Sequence, residues 1–171
     1  MIWDPELFDW IEANVGAIIG RDPDMLRLAI ARSCEIKAMV VAADEREQSL
    51  RAVLNFGHTF GHAIEAATGY ARYLHGEAVA LGMLMACDLS ARLGMIDADV
   101  TQRLRSLLLE AGLPVEPPRI GAAAALGLMQ MDKKVLAGSL RLVLLEKLGR
   151  AIVTADYSTA ALDATLQEHF G

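Results

Sequence analysis

The stretch Arg51-Ala-Val-Leu-Asn55-Phe-Gly-His58-Thr-Phe-Gly-His62-Ala-Ile-Glu65, followed after a short link by Leu74-His75-Gly-Glu77-Ala-Val-Ala-Leu-Gly-Met83, decides the reading of this chain. It holds three of the four histidines. His58 and His62 stand four apart, so on a helix they share one face, one turn from each other. His75 follows thirteen residues later and opens a second helical run. Two imidazoles a turn apart and a third from the next helix have the geometry to close on a divalent metal. A His-x-x-x-His pair is also compatible with buried, hydrogen-bonded histidines. Arg51 and Asn55 favour a pocket. In a helix from about residue 50 to 67 they fall on the stripe of His58 and His62, and such a stripe is costly to bury unless a polar ligand satisfies it. Gly57 and Gly61 lie inside the same helix, each costing up to about 1 kcal/mol relative to alanine. Their spacing beside the histidines suggests that something approaches this backbone closely.

Outward from this stretch, composition bounds the rest. At 171 residues the chain reads as one domain, long enough to bury a proper core. Hydrophobic residues make up 54% and aromatics only 5%, so the core is Leu, Ala, Val, Ile and Met, side chains that lose little entropy in helices. A net charge of −6 with no Lys/Arg block argues against nucleic acid as a partner. The longest apolar run, residues 78–87, is about half of what a bilayer span needs, and no signal peptide follows Met1. A soluble, cytoplasmic protein is expected, with Cys34 and Cys87 as two buried free thiols.

The remaining elements follow from start and stop signals. Asp4-Pro5 and Asp22-Pro23 each read as an N-cap with proline at the first helical position, opening helices that run to about Gly20 and Ala43. Lys37 sits near the end of the second. Residues 43–49 are polar and read as a loop. The helix from about Gly76 to Leu93 is apolar all round, which places it at the centre of the core. Asp97 caps a helix over 99–111, and an alanine-rich helix covers about 120–130. A hairpin follows, with strands at 140–145 and 151–154, and Ser158 or Thr159 caps a last helix to about Phe170. The fold class is mainly α: a multi-helical domain of about seven helices with one small β-hairpin near residues 140–154. His169 is expected at the surface. No strand–glycine-rich turn–helix unit occurs, so no dinucleotide site is expected within the chain. Glu65 and Glu77 stay open between metal coordination, orienting an imidazole, and helix capping.

A resemblance to a known family covers the whole chain. Cys34-Glu-Ile-Lys37, Val40-Val-Ala-Ala-Asp44-Glu45, Arg51-x-x-Leu-Asn55-Phe-Gly-His58-Thr-Phe-Gly-His62-Ala-Ile-Glu65, Leu74-His75-Gly-Glu77 and Asp132-Lys133-Lys134 resemble the helical C-terminal domain of 3-dehydroquinate synthase. The resemblance implies conversion of 3-deoxy-D-arabino-heptulosonate 7-phosphate into 3-dehydroquinate and phosphate in the shikimate pathway. It implies Zn2+, with Co2+ as a substitute, held by His58 and His75 and acting as Lewis acid and template. His62 would handle protons and contact phosphate. Lys37, Arg51 and Asn55 would bind the substrate's anionic groups, Arg51 suiting a carboxylate through its planar fork. Lys133 and Lys134 match the family's later substrate-contacting lysine, with Lys133 the preferred of the two. NAD would be used in the full enzyme, bound by an N-terminal Rossmann-like domain that this chain lacks, together with the segment that supplies a glutamate to the metal. The expectation is a single C-terminal domain over 1–171, inactive by itself, partnered by the NAD domain and forming a homodimer. Another sugar-phosphate cyclase of the same fold, or a non-catalytic self-associating helical module, are the rival readings.

Overall fold

A computed structural model describes residues 1–44, 50–132 and 140–171. Among these residues the chain forms seven α-helices and one two-stranded antiparallel sheet, in the order α1 (Pro5–Ile19), α2 (Pro23–Ala43), a 3-10 turn (Arg51–Asn55), α3 (His58–Ala67), α4 (His75–Arg92), α5 (Ala98–Glu110), α6 (Ala122–Asp132), β1 (Leu142–Lys147), β2 (Arg150–Thr154) and α7 (Thr159–Phe170). The mainly helical architecture and its hairpin are those expected from the sequence. The capping signals work as read at three helices. Asp4 Oδ1 accepts from the Leu7 N–H at 2.9 Å, Asp22 Oδ1 from Asp24 and Met25 at 3.0 Å each, and Ser158 Oγ from Ala161 at 3.3 Å. Asp97 stands at the N-cap of α5 without a side-chain bond to it.

The α4 helix is the axis of the core. Ten of its residues are buried, and it packs against α3, α5, α7 and β1. Burial against four elements requires a helix that is apolar around most of its circumference, and between Ala78 and Leu89 this one is, Asp88 apart. Ser90, fully buried on α4, donates to the Ala86 carbonyl at 2.8 Å and accepts from the Leu145 N–H at 3.0 Å, tying β1 to the helix. A second polar tie joins α4 to α7. Asp88 accepts from Thr165 Oγ1 at 2.8 Å and from Arg92 Nε at 2.7 Å, and Arg92 also pairs with Glu168. His169 Nε2 lies 3.7 Å from Asp88 Oδ2, beyond hydrogen-bond reach. The His169 side chain is 8% exposed, so its expected surface position does not hold; α7 turns it onto α4.

The hairpin pairs Leu142 with Thr154 through Leu145 with Ala151. Its outer strand is covered by the chain's first residues: the Met1 carbonyl accepts from Gly149 N–H at 2.6 Å and the Ile2 carbonyl from Ala151 N–H at 3.2 Å. Gly149 has φ +88°, and a Cβ there would lie 2.8 Å from Pro5 Cδ, so the turn needs glycine twice over. A cleft of about 620 Å³ opens beside this strap, lined by Trp3, Val53, Arg141, Lys147 and Arg150 among others; no histidine lines it.

α2 is the opposite of α4. Of its 21 residues only Val40 is buried, while Leu28, Ile30 and Met39 are 41%, 60% and 47% exposed. Cys34 on this helix is exposed, contrary to the buried thiol expected, because α2 turns most of its circumference away from the core; Cys87 is free and fully buried. Burial pushes the Cys87 thiol up to about 12.

Candidate metal centre

The sequence suggested one helix over 50–67. The structure breaks it. Arg51–Asn55 is a 3-10 turn, Phe56 is extended, and α3 starts at His58 after Gly57, whose φ is +82°. The cause is tertiary. A Cβ on Gly57 would lie 2.6 Å from the Met83 N and 2.8 Å from the Val79 carbonyl, so α4 presses against the chain at this point and only glycine fits. Arg51 and Asn55 therefore do not continue the stripe of His58 and His62. Arg51 is half-buried at the start of the turn, its backbone N–H bonded to Asp44 Oδ2 at 3.0 Å, and Asn55 is exposed at the turn's end.

What the break preserves is the meeting of the three histidines. His58 and His62 project from the first two turns of α3, and His75 is the first residue of α4. Their ring centroids are 5.6 Å (His58–His62), 5.3 Å (His58–His75) and 6.0 Å (His62–His75) apart. With metal–nitrogen bonds of about 2.0–2.1 Å, imidazoles sharing a tetrahedral ion have centroids roughly 5 Å apart, so this triangle is close to the size an ion requires.

Hydrogen bonds at the outer nitrogens orient the rings. His75 Nδ1 lies 3.0 Å from Glu65 Oε1, and Glu65, 8% exposed, is the one buried carboxylate among the described residues. A donor at Nδ1 fixes the tautomer that leaves Nε2 free for a metal. His58 Nδ1 faces the Phe56 carbonyl at 3.4 Å. Burial first, and then the neighbouring imidazoles His62 and His75, hold His58 below the ordinary histidine value against the opposing pull of that carbonyl. The neutral, ligand-competent ring is thereby favoured at neutral pH. One ligand atom each from His62, Glu65 and His75 lie within 4.8 Å of one another, a cluster that His62 and Glu65 form with His75 and that the expected ligand His58 does not join. The donor set of two or three imidazoles and a carboxylate suits Zn2+ or Co2+.

Glu77, one of the open carboxylates, caps α4: its Oε2 accepts from the Leu74 N–H at 2.8 Å. Lys37 is exposed on α2. Lys133 and Lys134 lie outside the described residues. Glu65 is the residue whose part the sequence left open and the structure makes specific. Its spacing from His62, three residues on, is the signal that places both on one face.

Comparison with known proteins comes to the same fold. The family described as 3-dehydroquinate synthase C-terminal matches residues 1–135. Among solved structures, 2-epi-5-epi-valiolone synthase from Streptomyces hygroscopicus subsp. jinggangensis 5008, with NAD+ and Zn2+ bound, superposes with a TM-score of 0.85 at 23% identity, over 98% of this chain and 47% of that one. A 2-deoxy-scyllo-inosose synthase complexed with carbaglucose-6-phosphate, NAD+ and Co2+ gives 0.71 at 23% identity, over 86% of this chain and 43% of that one. The chain thus spans about half the length of the structures it matches.

Proposed function

This chain belongs to the 3-dehydroquinate synthase C-terminal family, and from that premise we propose that it is the metal- and substrate-binding half of a 3-dehydroquinate synthase. The reaction proposed is conversion of 3-deoxy-D-arabino-heptulosonate 7-phosphate to 3-dehydroquinate and phosphate. The observation that carries the reading is the triangle of His58, His62 and His75 with Glu65 behind His75.

His58 and His75 would hold the ion, which when bound supplies a Lewis acid and a template for substrate hydroxyls. Glu65 keeps the His75 ring in the ligating tautomer. His62, half-buried beside both, is suited to accept and return a proton next to the substrate phosphate. Arg51 would take the substrate carboxylate through its fork, with Lys37, Asn55 and Lys133 or Lys134 on the remaining anionic and polar groups. No glycine-rich βαβ unit occurs in the sequence to hold NAD. The nucleotide would come with a second domain. A homodimer and a cytoplasmic location go with this reading; no helix among the described residues is long and apolar enough to cross a membrane.

Zinc titration of the chelator-stripped protein by calorimetry is the test. Near-stoichiometric binding is expected, abolished by His58→Ala and by His75→Ala; a folded protein that binds no zinc would overturn the site. Turnover by the 171-residue chain with added NAD and no second domain would overturn the division of labour. The matched structures favour one alternative, a cyclase acting on a different sugar phosphate. It would be recognised if the complete enzyme released phosphate from such a sugar and not from the heptulosonate.

A further inference from the structure

Three glycines lock the first turns of α3 onto the middle of α4. Gly57 and Gly61 belong to one side of this contact and Gly82 to the other. A Cβ on Gly82 would lie 2.0 Å from the Gly57 carbonyl oxygen and 2.8 Å from the Gly61 nitrogen. A Cβ on Gly57 would lie 2.6 Å from the Met83 nitrogen, and one on Gly61 would lie 3.1 Å from the Ala78 carbonyl oxygen. The obstructing atoms are mostly backbone, which cannot swing aside as a side chain can. The Gly57 carbonyl is also the acceptor of the first α3 hydrogen bond, from Gly61 N–H at 2.9 Å.

The histidines are distributed about this contact in a telling way. His58 directly follows Gly57, and His62 directly follows Gly61. His75 lies seven residues, about two helical turns, before Gly82 on the opposite helix. The separation of α3 from α4, and hence of His58 and His62 from His75, is thus set where the two backbones touch. Gly76 is a natural contrast: it follows His75 directly, yet a Cβ there would meet nothing within 4 Å.

We infer that Gly57, Gly61 and Gly82 are positioning residues of the metal centre, holding α3 against α4 at the one separation where imidazoles from the two helices can share an ion. The inference rests on the metal reading above, but the geometric claim can be read without metal. Added bulk at Gly82 displaces the Gly57–Gly61 turn and moves His58 and His62 away from His75. Bulk at Gly61, where the nearest atoms stand at 3.1–3.2 Å, moves them less. Bulk at Gly76 moves nothing.

The test compares Gly82→Ala, Gly61→Ala and Gly76→Ala in the whole 171-residue chain by two readouts. The first is metal-free: cross-relaxation between the ring protons of His58 and His75 in the NMR spectrum, expected in the parent and in Gly76→Ala, weakened in Gly61→Ala and lost in Gly82→Ala. The second is Co2+ titration, with a tenfold or greater loss of affinity and an altered ligand-field spectrum expected for Gly82→Ala and no change for Gly76→Ala. A folded Gly82→Ala protein with the parent's ring contacts overturns the inference. If Gly82→Ala does not fold, Gly61→Ala decides, and parental ring contacts there overturn it equally. A parent that binds no Co2+ but shows the graded loss of ring contacts would refute the metal reading while upholding the positioning role.

Discussion

α2 and α4 are the two longest helices of the molecule and share almost nothing else. α4 buries ten residues and carries His75 at its first position; α2 buries one and carries Lys37. The two kinds of helix hold two kinds of site residue. The imidazoles and Glu65 stand on α3 and α4, two helices packed against each other. Lys37 stands on a helix that packs against α1 and the 3-10 turn and exposes the rest of its surface. The helices that carry the proposed metal site are packed into the core, and α2 with Lys37 is not.

Substitutions can break or sharpen this contrast. The largest effect is expected at the α3–α4 contact: Ile64→Ala, at a fully buried position, should cost about 3–4 kcal/mol in a urea denaturation series. Asp88→Asn comes next, because it leaves Thr165 and Arg92 without their charged acceptor, and a loss of roughly 2–3 kcal/mol is expected. Asp88 also predicts a pH dependence. Burial would raise its carboxyl, but the bonds from Arg92 and Thr165 and the nearby His169 outweigh burial and hold it well below the ordinary value of 3.8. A carboxyl with a depressed native value binds fewer protons than in the unfolded chain, so its stabilisation is full above 3.8 and drains away as pH falls below it. Unfolding free energy measured down the acid limb should fall less steeply in Asp88→Asn than in the parent; an unchanged slope would show the clasp to be weak.

Glu65→Gln touches the site rather than the fold. Zinc affinity should fall roughly 10- to 100-fold, as for other partners of ligating histidines, with little change in the denaturation midpoint. The smallest effect is expected on α2: Ile30→Ala, at a side chain 60% exposed, should alter stability by no more than about 0.5 kcal/mol. A cost comparable with that of Ile64→Ala would erase the contrast between the helices.

Local signals made most of the fold legible. Asp-Pro pairs announced α1 and α2, and their side chains cap as read. Apolar residues placed all round the helix of residues 76–93 announced the central helix. Hairpin strands were visible from β-branched and leucine runs. What the sequence hid was set by distant contacts. Gly57 breaks the expected helix because α4 presses on it from residues 79 and 83, and residues 50–67 do not say which element does the pressing. The close approach was foreseeable from Gly57 and Gly61, but its other face, Gly82, was not. Cys34 and His169 were misplaced for the same kind of reason. An amphipathic pattern tells which side of a helix is apolar, and packing decides whether that side is covered. At the site, the histidines were identified by spacing alone, whereas the pairing of Glu65 with His75 joins two helices and became specific only in three dimensions.

The strap formed by Met1 and Ile2 has a consequence for how the chain is made. Their carbonyls are bonded to the N–H groups of Gly149 and Ala151, a closure that spans nearly the whole sequence. At synthesis rates of about 5–20 residues per second, on the order of ten seconds separate the two partners' emergence. Helices with local contacts can form during that interval, but the strap and the outer edge of the hairpin cannot. Closure of this long loop is a late event in folding, and the nascent chain carries an unpaired β2 edge until it occurs.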